Sequence, residues 1–150
     1  MLQRGRDLPM TTGGAPHGMN EPDEFIRLLE GQECRGLIAQ EFWHHGAPSD
    51  LVNVVFLHVE SGLWLRFFFD AGVFLWRTGA PERVTGGEPT FEYRLTNLGA
   101  RFGVRGRRIE RVTFTQPDPG CARLVIALDR GRLILDHADD HSRIAFVEAA

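Results

Sequence analysis

The chain has 150 residues, 43% of them hydrophobic and 25% charged, with a formal net charge of −3. That is enough chain and enough apolar content for one domain with a real core. The charge excludes a global field that would gather nucleic acid or an anionic membrane, and no run of about 18 apolar residues offers a membrane span.

Residues 1–19 are rich in Gly, Pro, Thr and Met, show no period, and are expected to form a disordered tail. They lack the apolar run of a signal peptide. The two thiols, Cys34 and Cys121, stand far apart in no metal-binding spacing, which together with the missing leader predicts a cytoplasmic protein. Residues 20–150 are read as a single domain.

Asn20 to Gly31 carries a helix signal. Asn20 can cap, Pro22 suits the first turn, Phe25, Ile26, Leu28 and Leu29 supply an apolar stripe, and Gly31 can close the end. Leu37 to Trp43 reads as a strand, and His44 to Asp50 as a loop by composition. Strands follow near 51–59, 63–69 and 73–77, joined by Ser61-Gly62 and Asp70-Ala71-Gly72. Thr78 to Pro89 is a Gly/Pro loop, and Phe91, Tyr93 and Leu95 alternate as in a strand. Asn97 to Arg108 is ambiguous. Strands are then expected near 109–115, 122–128, 132–136 and 143–147, with His137 to His141 as a polar turn. Short turns between neighbours favour an antiparallel meander.

Residues 52–76 and 112–135 read as one unit written twice, at an offset of about 59 residues from Leu65/Leu124 onward. The predicted fold is therefore α+β and mostly antiparallel β: two repeated three-strand meanders forming a sheet or sandwich, with one short N-terminal helix. Side chains alternate between the faces of a strand. Leu65, Phe67, Phe69, Phe74 and Trp76 match Leu124, Ile126, Leu128, Leu133 and Leu135, so this is the expected core face. The opposite face differs between copies. Trp64, Arg66, Phe68, Val73 and Leu75 stand where the second copy has Arg123, Val125, Ala127, Arg132 and Ile134. A hairpin apolar on both faces needs a second cover. Two covers stay open: the helix at 20–31, or a partner or second copy anchored on Trp64 and Phe68.

No catalytic, metal-binding or cofactor-binding residue is predicted. His137-Ala138-Asp139-Asp140-His141 holds two imidazoles and two carboxylates but lacks the helical spacing of a zinc-hydrolase motif, and reads as solvated turn. Glu41, His44 and His45 would join it only if the fold gathered these loops. Ser49 and Cys34 have no nucleophile context. Asp70 and Asp129 occupy matching turns and read as turn formers. Arg101, Arg105, Arg107, Arg108 and Arg111 form a basic run that reads as a solvated loop, or as a contact for an acidic protein; Arg101 and Arg105 join the candidate partner surface.

The pattern VxF…LxFxxDxGxxL, followed by a polar turn and a last strand, resembles small uncharacterised bacterial β-rich proteins in the style of toxin-immunity proteins. The resemblance covers mainly the two repeats and carries over no functional residues. It implies a non-enzymatic interaction module that binds a protein partner or itself, as in a homodimer. The alternative from the residues is a small-molecule or metal-binding domain, or a hydrolase, using the His-rich loops.

Overall fold

Alternating apolar residues and short glycine turns generate almost all of the structure. The computed structural model describes residues 22–82 and 90–149. The expected cap Asn20, the tail 1–19 and most of the 78–89 loop lie outside them. The elements are α1 (Pro22–Leu29), β1 (Cys34–His44), β2 (Ala47–Val59), β3 (Trp64–Asp70), β4 (Val73–Thr78), β5 (Phe91–Asn97), α2 (Leu98–Phe102), β6 (Ile109–Asp118), β7 (Cys121–Leu128), β8 (Gly131–Ala138) and β9 (His141–Glu148). Two antiparallel sheets form, in the orders β4-β3-β2-β1-β5 and β6-β7-β8-β9. The fold is α+β and mostly antiparallel, as expected from the strand pattern. None of the described helices is long and apolar enough to cross a membrane.

One core lies between the sheets. Leu65, Phe67 and Trp76 enter it from one side, Leu124, Ile126 and Leu133 from the other. Aromatic rings bridge the layers, with Phe114 lying 5.5 Å from Phe74 and 6.1 Å from Phe69. Tilted and offset contacts of this kind add to plain burial.

Helix α1 puts Phe25 and Leu29, four residues apart on one face, into this core. Phe25 meets Phe67 edge-on at 5.0 Å and Phe74 at 5.1 Å. The helix therefore caps the inner face and does not cover Trp64 and Phe68. The inner face offers its short apolar stripe a ready aromatic socket, which the outer face does not. Just after the helix, a Glu30 carboxylate oxygen accepts the Val112 N–H at 2.9 Å and ties α1 to β6.

Several sequence expectations are corrected. The stretch 44–50 is no loop: His45 and Gly46 make a tight turn, both at positive φ, and β2 starts at Ala47. Pro48 is tolerated there because this half of β2 pairs with β1 alone; β3 pairs only with Val55 to His58. An irregularity in the β1–β2 register lets both Val52 and Val55 reach the core, breaking the simple alternation. A second helix, α2, occupies the ambiguous segment. Asn97 Oδ1 accepts the Ala100 N–H at 3.0 Å, and Gly103 closes the helix in the left-handed region. The segments 52–76 and 112–135 both fold as three-strand meanders, but they close differently. Asp70 pairs with Val73 around Ala71-Gly72, whereas Leu128 pairs with Gly131 around Asp129-Arg130. Asp129 does not serve its own turn; its Oδ1 accepts the Arg108 N–H at 2.8 Å.

Candidate functional site

The outer face of the five-stranded sheet is the first candidate. Strand parity turns Trp64, Arg66 and Phe68 of β3, and Val73, Leu75 and Arg77 of β4, away from the core. Cross-strand pairing runs one row over the whole sheet: Arg77, Arg66, Phe56, Ile38, Asn97. Trp64 stacks flat on its cross-strand neighbour His58, ring centres 4.4 Å apart. It also lies over Gly36, where an added Cβ would come 3.7 Å from the indole edge. At the far edge, β5 presents Phe91, Tyr93 and Leu95 on the same face, each more than a third exposed, and Phe42 of β1 lies 5.4 Å from Tyr93. Val73 is 43% exposed at the opposite edge. Four of the predicted residues, Trp64, Arg66, Phe68 and Leu75, are half-buried, and with Val73 they do share one surface.

Arg66 is the electrostatic anomaly of this surface. Its guanidinium carbon sits 5.5 Å over the Phe56 ring, and its Nε is buried with no hydrogen-bond partner. Arg77 is its direct cross-strand neighbour, so two like charges face each other. Burial first, then Arg77, pushes the Arg66 guanidinium below its usual value, while Glu82 works the other way. An arginine so placed remains charged.

Arg101 and Arg105 are not part of this surface as predicted. Arg101, on α2, lines a cleft between the sheets. Arg105 Nε donates to the Arg35 carbonyl at 3.1 Å. Arg107 and Arg108 are tied into the fold. Arg107 donates to the carbonyls of Gly103 and Arg130 and to Glu148, and Arg108 donates to the Gly31 carbonyl and to Glu60. Arg105, Arg107 and Arg108 thus satisfy carbonyls where chain segments meet, while Arg101, Arg105, Arg108 and Arg111 remain exposed to water.

The cleft is the second candidate, with a volume of about 590 Å³ and walls from β1, β2, α2 and β9. Glu41, Asp50, Arg101, His141 and Arg143 bring polar groups to it, and Trp43 and Leu51 apolar surface. Glu41 is held by two donors, the Trp43 Nε1–H at 2.8 Å and the Thr96 hydroxyl. Arg94 stacks on the Trp43 ring at 3.7 Å. So the fold does bring Glu41 and His141 to one place, while His44 and His45 lie against each other with tilted rings at the β1–β2 turn. His137 is not a solvated turn residue. It continues the inward row of Leu133 and Leu135, is 4% exposed, and lies against Phe69 at 5.5 Å.

Sequence reasoning also missed a contact between His137 Nδ1 and Ser142 Oγ at 2.9 Å, made across the β8–β9 hairpin. The other ring nitrogen is buried without a partner. No carboxylate orients the imidazole, so the pair lacks the third member of a nucleophilic triad. Among the described residues no group of three or more His, Cys, Asp or Glu side chains is placed to hold a metal ion. Cys34 and Cys121 are free thiols, and burial pushes the Cys34 thiol up to about 11, far from an activated nucleophile. Comparisons with family models, curated proteins and solved structures find no match to this chain.

Proposed function

We propose that the chain is a non-enzymatic protein-interaction module that presents the outer face of its five-stranded sheet to a partner protein. One observation carries this: Arg66 and Arg77 stand side by side, with no ion pair to a carboxylate among the described residues, inside a frame of Trp64, Phe68 and Leu75. Half-buried aromatics beside an arginine are what interface anchors are made of. A partly buried charge with no carboxylate in ion-pair contact is costly; Glu82 offsets this only in part, and an acidic partner group would offset it further. The partner is therefore an acidic surface with an apolar centre. An immunity-like inhibitor in a bacterial cytoplasm, the style suggested by the strand pattern, is one form of this function.

The test is affinity capture from host lysate with the wild type, Trp64→Asp and Arg66→Asp, folding being checked by circular dichroism. The wild type is expected to retain a stoichiometric acidic partner that both variants lose. Retention of the same partners by both folded variants would sink the proposal.

A second reading rests on the cleft, whose size suits a small organic ligand. Arg101, Arg143 and His141 favour an anionic group at its rim. Ligand co-purifying with the wild type and absent from Arg101→Ala/Arg143→Ala would support it; a clean mass spectrum of the native protein would not.

A further inference from the structure

The four sheet edges are not treated alike. An edge strand exposes unpaired backbone groups, and monomeric proteins blunt such edges with proline, bulges, charges or covering segments. β6 carries Pro117, two register irregularities and the Glu30 carboxylate on its Val112 N–H. β4 carries Arg77 on its outer face, next to Arg66. β9 carries the exposed His141 and Arg143, which border the cleft. β5 has none of these devices on its apolar face. It runs seven residues without proline or register shift against β1, and its outward side chains are Phe91, Tyr93 and Leu95. Among the described residues no strand pairs with its other edge.

We infer that β5 pairs with β5 of a second copy, antiparallel and centred on Tyr93, joining two five-stranded sheets into one of ten. The occupant follows from the side-chain order. A two-fold centred on Tyr93 sets Glu92 opposite Arg94 of the second copy, and Arg94 opposite its Glu92. It also sets Phe91 opposite Leu95 and Tyr93 opposite Tyr93. Centring on Glu92 or Arg94 would instead oppose like charges, which destabilises a cross-strand pair. Glu92 and Arg94 already pair within one strand at 2.8 Å, and Arg94 is steadied on the Trp43 ring. Self-pairing thus closes a four-membered network of alternating charge on one face and a continuous apolar row on the other. Such an isologous contact is closed and self-limiting. The inference does not depend on the acidic partner, because Arg66 and Trp64 lie on other strands and stay uncovered by this contact.

The test is sedimentation equilibrium across a concentration series for the wild type, Glu92→Arg, Arg94→Glu and a mixture of the two variants. The wild type is expected to dimerise. Each charge reversal alone should weaken the dimer about tenfold or more, since both symmetric pairs become repulsive. The mixture should recover dimer as a heterodimer, because arginine at 92 of one variant then faces glutamate at 94 of the other, while the unchanged Arg94 of the first faces the unchanged Glu92 of the second. A second variant guards against indirect effects: Tyr93→Cys with Cys121→Ser should cross-link to dimer on mild oxidation, as directly opposed strand residues lie within disulfide reach. A monomeric wild type at every concentration, or a dimer indifferent to both reversals, overturns the inference.

Discussion

The outer faces of the two sheets come from matching stretches of sequence and have opposite character. On the four-stranded sheet Arg123 forms a two-pronged pair with its cross-strand neighbour Asp136, at 2.6 and 3.1 Å, on the water-facing side. The equivalent position on the five-stranded sheet is Trp64, stacked on His58. Two residues on, Val125 faces Ile134, whereas Arg66 faces Arg77. One face gives Arg123 a carboxylate across the strand. The other buries a guanidinium against Phe56 and leaves an N–H without a partner. The same meander can therefore serve as a finished surface or as an unfinished one. What separates them is that Arg123 meets a carboxylate across the strand, whereas Arg66 meets another arginine.

The largest expected effect sharpens the difference between inner and outer faces. Phe67→Ala should cost about 3–5 kcal/mol, because it opens a cavity beneath Phe25 and Phe74. Phe68→Ala, the next residue but turned outward, should cost about 1 kcal/mol or less. Denaturant melts of both variants decide it, and equal losses would make the outer face a second core. Next in size is a pH effect that separates the buried Cys34 from the half-buried Cys121. The folded Cys34 thiol titrates near 11 against an ordinary 9.0. The unfolded chain thus releases its proton first, and stability should fall by about 2–3 kcal/mol as the pH rises from 9 to 11. Cys34→Ala should flatten that slope and Cys121→Ala should not; thiol reagents should likewise modify Cys121 well before Cys34 in the folded protein. The smallest effect concerns the two arginines. Arg66→Met should leave stability unchanged or raise it by about 1 kcal/mol, since it removes an unpaired, partly buried charge. Arg123→Met should leave the melting midpoint where it was, since an exposed pair contributes little. Destabilisation by Arg66→Met would mean that the folded chain itself satisfies this side chain, and the contrast between the faces would be lost.

Much of this was legible in the residues. Leu65, Phe67, Phe69, Phe74 and Trp76 alternate so regularly that the core face of the first meander was readable, as was its matching face in the second. The doubly apolar character of Trp64, Phe68 and Leu75 was readable for the same reason. His137 was misread because polar neighbours made it look like turn, although its parity with Leu133 and Leu135 pointed inward. Helix α2 was missed because five residues are too few for a period, even though Asn97 and Gly103 marked both its ends. Arg105 and Arg107 could not be placed at all. Their hydrogen-bond acceptors are backbone carbonyls, which every residue carries and no sequence pattern announces.

The sequence by itself determined the strands, their inward faces, the short turns and hence the antiparallel α+β class, because alternation and turn chemistry act over a few neighbouring residues. Only the tertiary structure decided that α1 plugs the space between the sheets, that Glu41 and His141 share a cleft, that Arg66 meets Arg77, and that β5 ends up at a sheet edge with no further strand beside it among the described residues. Each of these depends on which strands become neighbours. That choice is made by burial summed over the whole core, a long-range quantity that no local pattern encodes.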